Sequence, residues 1–168
     1  MGLDMYAFSL DRSEAFATPR DVLNYRAPED ANPLPQVVVH GPASLLLGLE
    51  VIPDHGGALQ GSDYDLPGST LIHRWRKHPD LHGWMERRWN AMRWNKKRRP
   101  FNSDDRVPLS AQDLDALEHA VRHGHLPKTT GFFFGESTGD EIEDDLAFIE
   151  AARKELAAGK FVYYTSWW

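Results

Sequence analysis

The chain has 168 residues, a formal net charge of −6 and no cysteine. A chain of this length usually forms one domain, so we expect a single domain over residues 1–168. The absence of cysteine excludes disulfides, thiol nucleophiles and cysteine-bearing zinc sites, and it favours a reducing compartment such as the cytoplasm. Since the sequence has neither a signal-peptide pattern nor an apolar run of about 20 residues, we expect a soluble protein without a membrane partner.

The first residues predict a strand that is buried on both faces, because successive side chains of a strand point to opposite sides. Asp4 interrupts the apolar pattern, and a carboxylate inside such a strand requires a hydrogen-bonding or charged partner. The two alternating apolar sets are Leu3, Met5 and Ala7 on one face and Tyr6, Phe8 and Leu10 on the other.

The next part of the chain predicts connections and short strands. Polar residues and prolines over residues 11–36 predict an irregular connection with one short helix near residues 19–25. Apolar and β-branched runs at residues 37–39 and 45–52 predict one or two further strands. Residues 70–76 then predict another strand.

The second half predicts three helices. Pro79 and Asp80 suit a helix start, and the helix is expected to end near residue 95. Residues 110–113 and 138–141 carry capping-box patterns that start the second and third helices. The side chains expected to face inward are Leu81, Trp84, Met85, Trp89 and Met92, then Leu114, Leu117 and Val121, and finally Ile142, Leu146, Ile149, Ala152 and Leu156.

Two short aromatic segments complete the pattern. Residues 131–135, Gly-Phe-Phe-Phe-Gly, and residues 161–165 are both expected to be strands. Because strands and helices interleave in the second half, we predict an α+β fold with a mixed, mostly antiparallel sheet and about three helices packed on it.

Four separate pieces of the sequence together resemble one protein family. The family is a group of short, largely uncharacterised proteins from bacteriophages and bacterial genomes that begin Met-Gly-Leu-Asp-Met-Tyr. The pieces share the order and spacing of that family and span the chain from end to end. They are Gly2-Leu3-Asp4-Met5-Tyr6, the Trp75-Arg76-Lys77 step that leads to His82 and Trp84, the Thr-Gly-Phe-Phe-Phe-Gly block of residues 130–135, and the closing Tyr163-Tyr164-Thr165-Ser166-Trp167.

The resemblance implies a compact phage-type protein, which would act in the host cytoplasm. Some similar proteins are labelled phosphoglycerate kinase by automated transfer. This chain gives that label no support, because it is too short for a two-lobed kinase and has no glycine-rich phosphate loop. The family usually has a small residue in place of His78, whereas His82 matches, so a role carried by His78 would not be shared.

The cationic and aromatic run at residues 73–78 is the strongest candidate binding surface. Guanidinium groups and helix N-termini favour anions, and an indole offers a stacking face. Aromatic side chains from neighbouring strands would wall a pocket with these cations at its rim, which would suit a nucleotide; alternatively, they only pack the sheet. The candidate binding residues are Tyr6, Arg74, Trp75, Arg76, Lys77, His82, Phe132, Tyr164 and Trp167.

Catalysis has weaker sequence support. No Ser-His-Asp order, nucleophile elbow or dinucleotide fingerprint is found. An acid-base pair needs no such signature, and the candidates are Asp4, His82 and Glu136. In the pair of Asp4 and His82, one residue would orient the other, which would act as the general base. Whether the protein is an enzyme stays open at this point.

Two patterns suggest a metal site, but each has a simpler explanation. His78 and His82 are four residues apart, as two ligands on one helical face would be, yet Pro79 puts His78 at or before the helix start and no third ligand is nearby. The acids of residues 140–145 suit the positive end of a helix. We therefore predict no metal and no cofactor.

The basic run at residues 96–99, with Trp89 and Trp94 nearby, is typical of patches that grip phosphates while aromatic rings stack on bases. The net charge of −6 argues against duplex nucleic acid as the main partner. A solvated basic loop is the alternative interpretation.

From these patterns we expect a non-enzymatic binding protein for an anionic small molecule such as a nucleotide. In a phage, it would sequester a host signalling nucleotide. The first alternative is a hydrolase or nuclease that uses His82 with Asp4 or Glu136. The second is a protein–protein interaction module that acts on a host protein, and self-association into a homo-oligomer is compatible with each of these functions.

Overall fold

The structure is a computed structural model that describes residues 2–13, 16–24, 65–92, 101, 103, 105–132 and 134–168. These residues form four strands and four helices. The strands expected at residues 37–39 and 45–52 and the basic run at residues 96–99 lie outside them. In chain order the elements are β1 (Asp4–Leu10), α1 (Pro19–Asn24), β2 (Ser69–Arg76), α2 (Pro79–Ala91), β3 (Val107–Leu109), α3 (Ala111–Arg122), α4 (Ile142–Ala157) and β4 (Phe161–Trp167).

The four described strands form one antiparallel sheet in the order β2-β1-β4-β3. β1 lies inside the sheet, and its first residue, Asp4, pairs with Arg76 of β2 on one side and with Trp167 of β4 on the other. The predicted α+β fold class is confirmed.

The two faces of β1 pack against different clusters, as its alternating pattern predicts. Leu3, Met5 and Ala7 belong to the main core, which also contains the buried side chains of α2, α3 and α4. The side chains of Tyr6 and Phe8 belong instead to a second apolar cluster. One face of the sheet is therefore covered by the three longer helices.

Local sequence signals place the starts of α2 and α3 correctly, although α2 ends at Ala91 rather than near residue 95. α2 begins at Pro79, with Asp80 in its first turn. At the start of α3, Ser110 and Asp113 form the predicted capping box, in which each side chain binds the backbone N–H of the other residue. The predicted apolar stripe of α3 is buried. None of the described helices is long and apolar enough to cross a lipid bilayer.

The inward face of α4 differs from the prediction. Ile142 is 43% exposed rather than buried. It stands in the first turn, and its side chain lines an open cavity at this end of the helix. Asp145 and Phe148, which the apolar pattern left out, are buried together with Ile149. The helix therefore buries a carboxylate in the core.

The predicted strand at residues 131–135 is wrong. The N–H of Phe134 donates to the carbonyl oxygen of Gly131 at 3.2 Å, which closes a turn. A Cβ at Gly131 would lie 2.6 Å from the Phe134 ring, so glycine lets that ring fold back over the backbone. Gly135 has a φ of 76°, in the left-handed region that favours glycine.

Gly83 lies inside α2, where alanine is ordinarily favoured by about 1 kcal/mol. Here we expect Gly83→Ala to lower the free energy of unfolding by about 1–3 kcal/mol, because overpacking a core has this cost. A Cβ at Gly83 would overlap Thr129 Oγ1 and lie 2.9 Å from Thr129 Cβ. Urea denaturation measures the change. Adding Thr129→Ala should restore part of the loss, and a stabilised Gly83→Ala variant would contradict this packing.

Candidate functional site

Five residues from three strands lie together on the sheet face opposite α2, α3 and α4. Arg76 and Trp167 flank Asp4 in the strand register, and Arg74 stands beside Tyr6. Since neighbouring strands are about 4.8 Å apart, the row from Arg76 through Asp4 to Trp167 spans about 10 Å. We call this set, Asp4, Tyr6, Arg74, Arg76 and Trp167, the arginine face.

The arginine face carries two guanidinium groups for one carboxylate. Arg74 Nη2 lies 3.5 Å and Arg76 Nε 3.9 Å from the same oxygen, Asp4 Oδ1. The Arg74 guanidinium also lies 5.7 Å from the centre of the Tyr6 ring, within cation–π range. The Arg76 side chain is 51% exposed and Trp167 is 37% exposed, so a guanidinium and an indole are both accessible to a ligand.

Lys77 adds a third cation where β2 ends. Its φ of 57° is uncommon for a residue with a side chain, and it turns the chain from β2 towards α2. The N–H of Lys77 donates to the carbonyl oxygen of Leu3 at 2.8 Å, and the residue is exposed.

Trp75 points to the opposite, helix-covered face, where it joins a buried chain of hydrogen bonds. Its Nε1–H donates to Asp145 Oδ1 at 3.0 Å, and Asp145 Oδ2 lies 3.0 Å from His78 Nε2. His78 Nδ1 in turn lies 2.8 Å from Ser137 Oγ. Trp75, His78 and Asp145 are buried and Ser137 is half-buried. The Ser137–His78–Asp145 chain thus runs from the surface into the core.

An open cavity with about 440 Å³ of empty space lies at the surface end of this chain and is lined in part by Ser137 and Asp80. The Asp80 carboxylate accepts hydrogen bonds from Lys128 Nζ at 2.6 Å and from the N–H of Thr129 at 3.0 Å. The hydrogen bond to Asp80 raises the pKa of Lys128. The N–H of Asp80 donates to Ser137 Oγ at 3.1 Å. Asp80 therefore fixes both Ser137 and one rim of the cavity.

Glu141 supplies a second carboxylate in the cavity wall. Its oxygens accept hydrogen bonds from the N–H groups of Thr138 at 3.0 Å and Gly139 at 2.7 Å. Burial favours the neutral form of Glu141, but these backbone N–H groups outweigh it and lower the pKa. Glu141 therefore stays ionised at neutral pH.

His82 is enclosed by aromatic side chains in the core. Its Nδ1 lies 2.8 Å from the Tyr164 hydroxyl, and its ring centre lies 5.4, 5.0 and 4.8 Å from those of Phe101, Phe134 and Trp168. Burial lowers the pKa of His82 to about 4 and raises that of Tyr164. At neutral pH the imidazole is therefore uncharged, and its Nδ1 shares a hydrogen bond with the phenol.

The structure does not bring the predicted acid-base pair together. Asp4 lies on the arginine face beside Arg74, whereas His82 faces the helices and binds Tyr164. Glu136 is exposed. These three catalytic candidates occupy separate environments.

The expected aromatic-walled pocket does not form from its four residues. Tyr6 and Trp167 belong to the arginine face, but Tyr164 packs in the main core on the other side of the sheet. Phe132 is 94% exposed and lies in a turn rather than a strand. Strand alternation puts Tyr164 on the opposite face of the sheet from Tyr6 and Trp167. Phe132 lies in a turn and not in the sheet.

The two histidines at helical spacing do not face a common site. His78 binds Ser137 and Asp145, whereas His82 binds Tyr164. In the part of the chain that the structure describes, no group of three histidine, aspartate or glutamate residues is placed to hold a metal ion.

Ser137 and Asp145 were absent from the sequence candidates. The sequence pattern could have indicated Asp145, because Phe148, Ile149 and Ala152 follow it at the spacing of one helical face. An acid on an apolar face needs a buried partner. No sequence pattern indicated Ser137, since its neighbours in sequence are those of an ordinary polar loop.

Comparison with known proteins found no matching family model, no matching curated protein and no matching solved structure. The resemblance to phage proteins is not tested by this result and stays a prediction. Any functional conclusion therefore depends on the geometry of the arginine face and of the Ser137–His78–Asp145 chain.

Proposed function

We propose that the protein binds an anionic small molecule of the nucleotide class on the arginine face. The carrying observation is the row Arg76–Asp4–Trp167, which sets an exposed guanidinium and an exposed indole on either side of a carboxylate. A guanidinium binds phosphate with two parallel hydrogen bonds, and an indole stacks on a base. A carboxylate accepts hydrogen bonds from ribose hydroxyls in dinucleotide sites. A nucleotide carries phosphate, sugar and base in this order.

The charge distribution supports the same ligand class. Arg74 is held between Asp4 and the Tyr6 ring, whereas Arg76 lies 3.9 Å from Asp4, too far for a good hydrogen bond. A phosphate can therefore bind Arg76 without breaking a short ion pair. Lys77 adds positive charge at the end of the same strand. With this site the protein would sequester a host signalling nucleotide.

A thermal-shift panel of nucleotides and cyclic nucleotides tests the proposal. A bound nucleotide at about ten times its Kd should contribute about 1.4 kcal/mol and raise Tm by about 3–5 °C. Adenosine and inorganic pyrophosphate should each give a smaller shift, because the first lacks the phosphate for Arg76 and the second lacks the base for Trp167.

Two arginine variants test whether the increase in Tm comes from binding at the arginine face. Arg76→Gln should abolish the shift, whereas Arg122→Gln should leave it unchanged, although the Arg122 side chain is 55% exposed and thus similarly accessible. If no member of the panel raises Tm, or if both variants lose the shift equally, the proposal is wrong.

The other expected functions have less geometric support. A hydrolase centred on His82 would need that ring to meet a substrate, yet His82 is enclosed by aromatic side chains. A host-protein partner and self-association stay predictions, since no described feature favours either one.

A further inference from the structure

We propose that Ser137 is the nucleophile of a second site, with His78 as its general base, and that this site hydrolyses esters of short carboxylic acids. The site lies on the helix-covered side of the sheet, so it does not depend on nucleotide binding at the arginine face. His78 meets two side chains that are distant from it in sequence, and the three lie in the order that nucleophilic catalysis uses: hydroxyl, imidazole and carboxylate.

The hydrogen-bond partners determine which nitrogen of His78 carries the proton. In the proposed arrangement His78 Nε2–H donates to Asp145 Oδ2, because a carboxylate accepts hydrogen bonds. In the neutral ring Nδ1 is then an acceptor, and the Ser137 hydroxyl donates to it over 2.8 Å. Trp75 Nε1–H holds the other carboxylate oxygen, which fixes Asp145 as the residue that positions His78. This is the proton arrangement that a general base requires.

A backbone donor fixes the position of the Ser137 hydroxyl. The N–H of Asp80, in the first turn of α2, donates to Ser137 Oγ at 3.1 Å. The Asp80 N–H has no partner within the helix, because it belongs to the first turn. Ser137 Oγ is therefore held between this backbone donor and the imidazole that takes its proton.

The reaction balances with water as the only co-reactant. Ser137 Oγ attacks the ester carbonyl carbon while its proton passes to His78 Nδ1. The carbon–alkoxy bond then breaks, and the leaving alcohol takes that proton, which leaves an acyl group on Ser137. Water attacks this acyl group, again giving a proton to His78, and Ser137 regains the proton as the carboxylic acid leaves.

The cavity beside Ser137 indicates the substrate class. Apolar side chains of Val121, Leu126 and Ile142 share its wall with Ser137. Its empty space of about 440 Å³ includes the open mouth, so the enclosed part is smaller, which favours a short acyl group over a long one. Acetyl and propionyl esters are the expected substrates.

Labelling of the full-length wild-type protein with a fluorophosphonate, followed by peptide mass spectrometry, tests the nucleophile without any variant. Label is expected on Ser137 and not on Ser110, a control serine whose hydroxyl bonds Asp113 and no histidine. Absence of label on Ser137, or equal labelling of Ser110, would overturn the proposal.

Hydrolysis of p-nitrophenyl acetate gives the second readout. Ser137→Ala and His78→Gln should each lower kcat by about 100-fold or more, the usual contribution of a general base and its nucleophile. Asp145→Asn should lower kcat while leaving KM nearly unchanged, as expected for a residue that acts through His78. A Ser137→Ala variant that is folded by circular dichroism and hydrolyses at the wild-type rate would overturn the proposal as well.

Discussion

Asp145→Ala is expected to lower the free energy of unfolding by about 2–6 kcal/mol, because it leaves two buried donors unsatisfied at about 1–3 kcal/mol each. The side chain is buried and accepts from Trp75 at 3.0 Å and contacts His78 at 3.0 Å. Alanine would leave both ring N–H groups buried without an acceptor, and each unsatisfied donor is costly. Denaturation in guanidinium chloride with linear extrapolation measures the loss.

Glu143→Ala is the matched control, because Glu143 is an exposed acid in the same first turn of α4. It should lose only its interaction with the helix dipole, at most about 1 kcal/mol. Equal losses in the two variants would mean that the buried hydrogen bonds of Asp145 do not stabilise the fold.

Acidification should destabilise the protein through His82. Burial lowers the pKa of His82 to about 4 in the folded protein, whereas an unfolded histidine has a pKa of about 6.5. Between these values the unfolded chain binds more protons, so stability falls as pH decreases. From about pH 7.5 to about pH 5 this single residue should remove about 2 kcal/mol, increasing to about 3 kcal/mol at pH 4.

His82→Gln isolates this contribution from the carboxylates that titrate over the same range. Glutamine can still form a hydrogen bond with Tyr164, as donor or acceptor, but binds no proton. The free energy of unfolding of the variant should therefore decrease with falling pH by about 2 kcal/mol less than that of the wild type. Parallel pH dependences would contradict the burial of an uncharged His82.

Local patterns were sufficient for much of the fold. Alternation alone assigned the two faces of β1, since the period of a strand is two residues. The capping box of Ser110 and Asp113 located the start of α3 because its hydrogen bonds join residues only three apart. β3 was missed, as three residues are too few to establish a period.

The Ser137–His78–Asp145 chain could not be predicted, because its hydrogen bonds join residues 59 and 67 positions apart. Predictions from sequence spacing, such as those for helix faces and capping boxes, relate only residues a few positions apart. The expected resemblance to phage proteins also gave less weight to His78. Only the packing of α4 on the sheet and the turn before it bring the three side chains together.

The run Arg74–Lys77 was predicted as one surface, but alternation divides it. Arg74 and Arg76 lie on the arginine face, while Trp75 between them enters the core. The prediction therefore placed cations at the end of this strand and included Trp167, but it took Trp75 as part of the same surface, whereas the indole on the face of Arg76 is that of Trp167, on the other side of Asp4. The order of strands in the sheet determines which side chain of another strand lies on this face. The sequence pattern of a single strand does not predict that order.

The most direct test of nucleotide binding on the arginine face is an NMR titration of the tryptophan indole N–H signals with a mixture of nucleoside monophosphates at millimolar concentration. Trp167→Phe assigns the Trp167 signal. We predict that this signal shifts on titration, whereas the signal of Trp75, buried and bonded to Asp145, stays unchanged. A Trp167 signal that does not move, or moves no more than that of Trp75, would contradict binding at this face.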